Sequence, residues 1–155
     1  MRSASLRNIF IGVITACIGL AGSATQVNAG LLSAKGEIIA ILAGELFLGE
    51  AEGHLSGAGT LAIYSQKDSN LTCHGQFTSG AERGGLGELV CSDGARATFH
   101  FQRLSVLRGF GSGKFSRGEM SFAYGLGADE VEPYLKVPQG KRLAYNGKEL
   151  KLVDL

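Results

Sequence analysis

The chain has three histidines, and imidazole is a common protein ligand of zinc and copper. The spacing of His54, His74 and His100 matches no short metal-ligand motif, and each falls on a predicted strand. We therefore expect solvated or locally hydrogen-bonded imidazoles, and no metal site.

Cys73 precedes His74, and a thiol beside an imidazole could act as a nucleophile. Adjacent residues of a strand point to opposite faces, however, so these two side chains would not meet. The sequence also lacks a Cys-x-x-Cys motif, which argues against thiol oxidoreductase chemistry. The role that we expect for Cys73 is a structural disulfide with Cys91.

Two other patterns resemble parts of catalytic sites. Residues 109–114 (Gly-Phe-Gly-Ser-Gly-Lys) lack the spacing of a phosphate-binding loop, and no helix pattern follows them. Asp129, Glu130 and Glu132 could do acid–base work, but acidic residues are also common in the first turn of a helix. We predict no catalytic residue and no cofactor.

A binding surface is the remaining candidate for function. Tyr64, Phe110 and Tyr134 are aromatic residues that could be exposed, and His74 falls on the polar face of its predicted strand. We predict that these four residues form a contact surface. Packing within the sheet or core is the alternative role for the aromatic three.

The N-terminal segment predicts export. Arg2 and Arg7 precede an apolar run over 9–22, which is too short for an ordinary membrane-spanning helix, and small residues end the segment at Ala29. This pattern is typical of a signal peptide over 1–29, leaving a single mature domain over 30–155.

A second interpretation of the same segment remains open. Residues 14–17 (Ile-Thr-Ala-Cys) resemble the lipobox of bacterial lipoproteins, which implies a lipoprotein signal over 1–16 and a lipidated Cys17. A retained membrane anchor is a third interpretation. Under the first two interpretations, Cys73 and Cys91 are left as an even pair of cysteines in an oxidising compartment, the periplasm or cell envelope.

The remainder of the chain predicts an all-β fold. Short apolar runs are broken by many of the 24 glycines and by Ser, Asn and Asp, a pattern typical of antiparallel hairpins. We expect the hairpins to form a twisted sheet or open barrel, with a short helix near 128–135. The segment 36–48 is compatible with a strand pair or a helix.

The first hairpin can be tested by its register. A turn centred on Glu82 places Cys73 opposite Cys91 and Phe77 opposite Gly87 on one apolar face. A disulfide closing this loop would stabilise the fold by about 3 kcal/mol.

Three further hairpins follow from turn signals. A three-residue loop at 93–95 would place Phe99 opposite Leu89, on the core side. A turn at Arg117-Gly118 would place Phe115 opposite Met120, and a turn at 146–147 would put Leu143, Tyr145, Leu150 and Leu152 on one face. Aromatic rings would then lie over strand glycines, which stabilises such strands.

Gly-x-Gly segments recur at 57–59, 85–87 and 109–111. With Cys73-His74-Gly75-Gln76-Phe77 and Asp93-Gly94 they resemble the MORN repeat, which implies short stacked hairpins over roughly 53–125. The order of Cys-x-Gly-x-Phe, a second Cys before x-Asp-Gly, and a Phe-rich strand is also similar to small exported bacterial proteins of uncharacterised function. That resemblance implies a compartment and a fold, and no activity.

We therefore predict a non-catalytic exported envelope protein that acts as an interaction or structural module. Its partner would be an envelope protein or a glycan. A nucleic-acid partner is not expected, because 15 basic and 14 acidic residues form no basic stripe. Membrane contact is expected only through an N-terminal lipid. Two alternatives stay open: a glycan- or lipid-binding module or periplasmic inhibitor, and a hydrolase with an unrecognised site.

Overall fold

A computed structural model of the protein describes residues 33–80 and 84–155. The predicted signal segment, Cys17 and Glu82 lie outside these residues. The described chain forms ten strands and one 3-10 helix, Glu132–Tyr134. The strands are β1 (Ser33–Leu42), β2 (Glu45–His54), β3 (Ala58–Ser65), β4 (Thr72–Ser79), β5 (Gly84–Cys91), β6 (Arg96–Ser105), β7 (Arg108–Phe115), β8 (Gly118–Tyr124), β9 (Lys141–Tyr145) and β10 (Leu150–Asp154).

Strands β1 to β8 form a closed antiparallel barrel. Each strand pairs with the next along the chain, and β1 pairs with β8 from Ile38 opposite Tyr124 to Leu42 opposite Met120. The predicted all-β class and antiparallel hairpins are confirmed. The pairing of the first strand with the last closes the sheet, so the barrel is neither open nor a simple twisted sheet.

The ambiguous segment 36–48 is a hairpin of β1 and β2. Its turn residues Ala43 and Gly44 have φ angles of 48° and 82°. Two consecutive positive φ angles are typical of the tight turn whose twist matches that of the flanking strands. The β-branched residues of β1 then pack in the barrel wall.

Side chains alternate between the barrel interior and the outside. In β6, Ala97, Phe99 and Phe101 are buried while Thr98 and His100 are exposed. The period of two places one row of each strand in the core. The interior core contains, besides those three, Ile38, Ala40, Leu42, Phe47, Leu61, Ile63, Leu71, Cys73, Leu89, Cys91, Phe115, Met120 and Phe122.

The predicted register of the β4–β5 hairpin is confirmed, with Cys73 opposite Cys91 and Phe77 opposite Gly87. The next hairpin has the predicted three-residue loop, but the loop occupies 92–94 and not 93–95. Cys91 N–H donates to the Ala95 carbonyl, and Gly94 has a φ of 84°. Phe99 therefore lies opposite Gly87 and not Leu89. A glycine leaves room for the ring, whereas the buried Leu89 would compete with it for the same interior volume.

The predicted register of β7 and β8 is wrong by two residues. Phe115 lies opposite Gly118 and not Met120, because the turn is at Ser116-Arg117. In the C-terminal hairpin Tyr145 lies opposite Leu150, so its loop spans 146–149 and is longer than predicted. A two-residue shift keeps every side chain on its predicted face.

The C-terminal segment packs on the outside of β1 and β8 and forms a second core. The predicted helix near 128–135 is only the 3-10 helix Glu132–Tyr134. Ser121 Oγ, on the outer face of β8, accepts a hydrogen bond from the Lys136 backbone N–H at 2.8 Å. The buried members of this cluster are Ile39, Ile41, Leu46, Ala123, Leu126, Val131, Leu135 and Leu150.

Candidate ligand cavity

The two ends of the barrel differ. We call one the closed end, where the turns at 43–44, 92–94 and 116–117 lie, and the other the cavity end, where 55–57 and 106–107 connect strands. The closed end is filled by Leu42, Phe47, Leu71, Phe115, Met120 and the Cys73–Cys91 disulfide. The cavity end contains a cavity of about 310 Å³. This volume lies at the lower end of the range for small-molecule sites, and eight-stranded barrels have room for one small ligand.

The wall of the cavity is apolar and largely aromatic. Phe77 meets Phe101 edge to face with ring centroids 5.6 Å apart, and Phe99 meets Phe122 in the same way at 5.1 Å. Tyr124 extends the row at 6.1 Å from Phe101. Edge-to-face contacts of this kind are a favoured arrangement of aromatic rings and stabilise the wall. Ile38, Ala51 and Leu61 complete the apolar lining.

Glycines on neighbouring strands make room for these rings. Phe77 lies opposite Gly59, Phe99 opposite Gly87 and Phe122 opposite Gly111. A Cβ added at any of these glycines would overlap the facing ring. The packing of aromatic rings over strand glycines that the sequence predicted is therefore present. The glycine that faces a ring differs from the predicted one where the strand register differs. The recurring Gly-x-Gly segments supply these inward glycines near the start of β3, β5 and β7.

One charged side chain, Arg103, follows the inward row of β6. Residues 97, 99 and 101 of that row are buried, and Arg103 is half-buried at the mouth of the cavity. Its guanidinium donates a hydrogen bond to Ser79 Oγ and lies in hydrogen-bonding reach of the Tyr124 hydroxyl. Desolvation raises the pKa of Tyr124, against the opposing effect of the Arg103 charge, so the phenol stays neutral at physiological pH.

The rim of the mouth carries exposed apolar side chains. Leu55 is 80% exposed and Val106 is 83% exposed, and both border the cavity together with Leu107. They come from the 55–57 and 106–107 connections, which lie at the same end of the barrel. Exposed apolar side chains beside a cavity are typical of a surface that a hydrophobic molecule contacts.

The four residues of the predicted contact surface do not line this cavity. Tyr64 and His74 are exposed on β3 and β4, with His74 opposite Ala62 and Val90. Phe110 packs against Tyr134, with ring centroids 4.7 Å apart, in the outer cluster under the C-terminal segment. The structure therefore divides the four into an exposed pair and a half-buried pair.

The histidines also lie apart. His54 borders the cavity mouth, whereas His74 and His100 are exposed on outward-facing positions. Within residues 33–80 and 84–155, no group of three or more His, Cys, Asp or Glu side chains could hold a metal ion.

Arg103 is not among the functional residues predicted from the sequence. A signal for it exists, because the alternation Ala97, Phe99, Phe101 places position 103 on the inward face. A cation at the fourth position of an otherwise apolar row breaks the pattern, and such a break marks a residue with a special role.

Comparisons of the chain with family models, curated proteins and solved structures found no match. In the part of the chain that the structure describes, no helix is both long and apolar enough to cross a membrane. The function is therefore inferred from the geometry of the cavity.

Proposed function

We propose that this chain is a non-catalytic binding protein of the cell envelope that holds a small apolar molecule inside its barrel. The apolar cavity at one end, beside a fully packed opposite end, is the observation that carries the proposal. A barrel built only for stability would gain by filling this volume, since unfilled interior space lowers the free energy of unfolding.

The lining favours a lipid-like ligand over a glycan. The lining includes the rings of Phe77, Phe99, Phe101 and Phe122, and its polar side chains are those of Ser33, Lys35, His54, Arg103 and Tyr124. A sugar presents many hydroxyl groups, each of which needs a hydrogen-bond partner when it leaves water. The aromatic part of the wall supplies none, so the lipid-binding alternative is the one that we adopt.

Filling the cavity tests the proposal. Ala51 lines the cavity, and Ala62 points outward on the neighbouring strand, opposite Glu50. We expect Ala51→Leu to weaken binding of N-phenylnaphthylamine, an uncharged apolar fluorophore, by about ten-fold or more, because the added side chain occupies the site. Ala62→Leu, which adds the same atoms outside the barrel, should bind as tightly as the wild type.

Thermal unfolding of both variants shows whether each is folded. Equal binding by the wild type and a folded Ala51→Leu variant would place the fluorophore elsewhere and contradict the proposal. Absence of saturable binding by the wild type, for this probe and for medium-chain alcohols, would contradict it as well.

Export is the second part of the proposal. It is supported by the N-terminal pattern of residues 1–29 and by the buried Cys73–Cys91 disulfide, which is typical of oxidising compartments. Intact mass of the native protein from each cell fraction tests it. A species that begins at Gly30 supports a free exported domain, one that begins at a lipidated Cys17 supports a lipoprotein, and an unprocessed cytoplasmic species contradicts export.

A further inference from the structure

The charge at the mouth of the cavity indicates the chemical class of the ligand. We propose that the cavity takes an amphiphile with an anionic head group, such as a medium-chain carboxylate, whose head pairs with Arg103. This inference rests on the proposed function, because it assumes that the cavity holds a ligand.

The position of Arg103 supports an anionic head group. It lies on the inward row of β6, directly after Phe99 and Phe101, and borders the cavity. A guanidinium on an inward position gives up part of its hydration, which costs free energy unless it is compensated by a partner. Placing it outward by a one-residue shift would also turn Phe99 and Phe101 out of the core, so the register holds it at the mouth.

The hydrogen-bond partners of Arg103 are uncharged, which also supports an anionic head group. Within residues 33–80 and 84–155, the oxygens that Arg103 contacts are the hydroxyls of Ser79 and Tyr124, and it forms no ion pair with a carboxylate. Two other arginines of the barrel strands and turns are paired with carboxylates. Arg117 pairs with Asp93 and Arg108 with Glu130, both on the outside. Among the described residues, no carboxylate neutralises the charge of Arg103, so this charge is open to an anion that arrives with a ligand.

The donor groups at the mouth of the cavity fit an anionic head group. A guanidinium has five N–H donors in a planar fork that fits a carboxylate or phosphate group. The neutral Tyr124 hydroxyl beside it can donate a further hydrogen bond to the same head group. The apolar tail would then lie against Phe77, Phe99 and Phe122 in the interior, and the exposed Leu55 and Val106 would shield the chain where it enters.

A matched pair of ligands tests the inference. Decanoate and decanol share the same tail and differ in charge, and isothermal titration calorimetry measures the dissociation constant of each. Arg103→Met removes the charge and keeps an apolar side chain of similar length. Arg117→Met removes a cation at the closed end and serves as the control.

We expect the wild type to bind decanoate more tightly than decanol. Arg103→Met should weaken decanoate binding by about ten-fold or more and leave decanol binding unchanged, since a charge-assisted hydrogen bond is worth that much in affinity. Arg117→Met should leave both affinities unchanged. Far-UV circular dichroism and urea unfolding establish that each variant is folded.

The outcomes separate this inference from the proposed function. If decanol binds and the wild type shows no preference for decanoate, or if Arg103→Met keeps the preference, the anionic head group is wrong and the apolar cavity stands. If neither ligand binds the wild type, the proposed function fails, and the inference fails with it.

Discussion

The ring of Phe99 lies directly across from Gly87 on the neighbouring strand and occupies the space where a Cβ would be. We expect Gly87→Ala to lower the free energy of unfolding by about 1–3 kcal/mol, because the methyl group would force Phe99 off its position in a packed interior. Urea unfolding followed by circular dichroism measures the change.

Gly36 provides the matched control for this prediction. It is also a strand glycine that borders the cavity, but a Cβ added there would meet nothing closer than 3.8 Å. Gly36→Ala should change the free energy of unfolding by no more than about 0.5 kcal/mol. Equal effects of the two substitutions would contradict ring packing as the cause of the cost, since the reduced backbone freedom of alanine by itself stabilises the fold.

The disulfide provides a second prediction. Cys73 and Cys91 are buried at the closed end and are separated by 18 residues in sequence. Reduction should add two hydrogens to the intact mass and lower the free energy of unfolding by about 3 kcal/mol, because the reduced unfolded chain gains conformational entropy. Urea unfolding with and without reductant tests this.

The Cys73→Ala/Cys91→Ala variant should unfold at the same urea concentration in both conditions. A wild-type curve that does not move with reductant would be evidence against the crosslink.

The outer cluster provides a third prediction. Leu150 begins β10 and is 6% exposed where the C-terminal hairpin meets the barrel, whereas Leu155 is 83% exposed. Leu150→Ala should lower the free energy of unfolding by about 2–5 kcal/mol. Leu155→Ala should be within about 0.5 kcal/mol of the wild type. Near-equal unfolding curves for both variants would mean that the hairpin does not contribute to the cooperative unit.

Asp93 provides a prediction of pH dependence. The Ala95 backbone N–H and the Arg117 guanidinium both hold the pKa of Asp93 below its usual value of 3.8. A carboxyl group whose pKa is lowered by folding stabilises the fold above its unfolded-state pKa, and that contribution is lost as the pH falls through its folded-state pKa. Asp93→Asn should therefore unfold more easily than the wild type near neutral pH.

The difference between the two proteins should shrink as the pH falls below 3.8, because protonated Asp93 also lacks its charge. Unfolding curves at a series of pH values measure it. The effect is small because the pair is solvent-exposed. Arg117→Met should reproduce the dependence, and a difference that stays constant with pH would assign the effect to the β5–β6 loop geometry and not to the charge.

The alternation of apolar and polar residues was sufficient to identify β4 to β8 and the face that their side chains occupy, whereas the segment 36–48 stayed compatible with a strand pair or a helix. Where the predicted register was wrong, at Phe99, Phe115 and Tyr145, it was wrong by two residues, so each side chain still lay on its predicted face. The reason is that side-chain direction has a period of two, and a two-residue shift conserves it. The pairing of Cys73 with Cys91 followed from the same alternation together with the turn predicted at 80–84.

The tertiary structure alone decided closure, the exact ring partners and the cavity. Pairing of β1 with β8 joins segments at opposite ends of the barrel sequence, and nothing in a local pattern specifies it. Closure sets the interior volume, and that volume decides that a ring must face a glycine and that the cavity end stays unfilled. The same holds for Arg103. The sequence shows a cation on an inward position, and only the closed barrel shows that this position borders an apolar cavity.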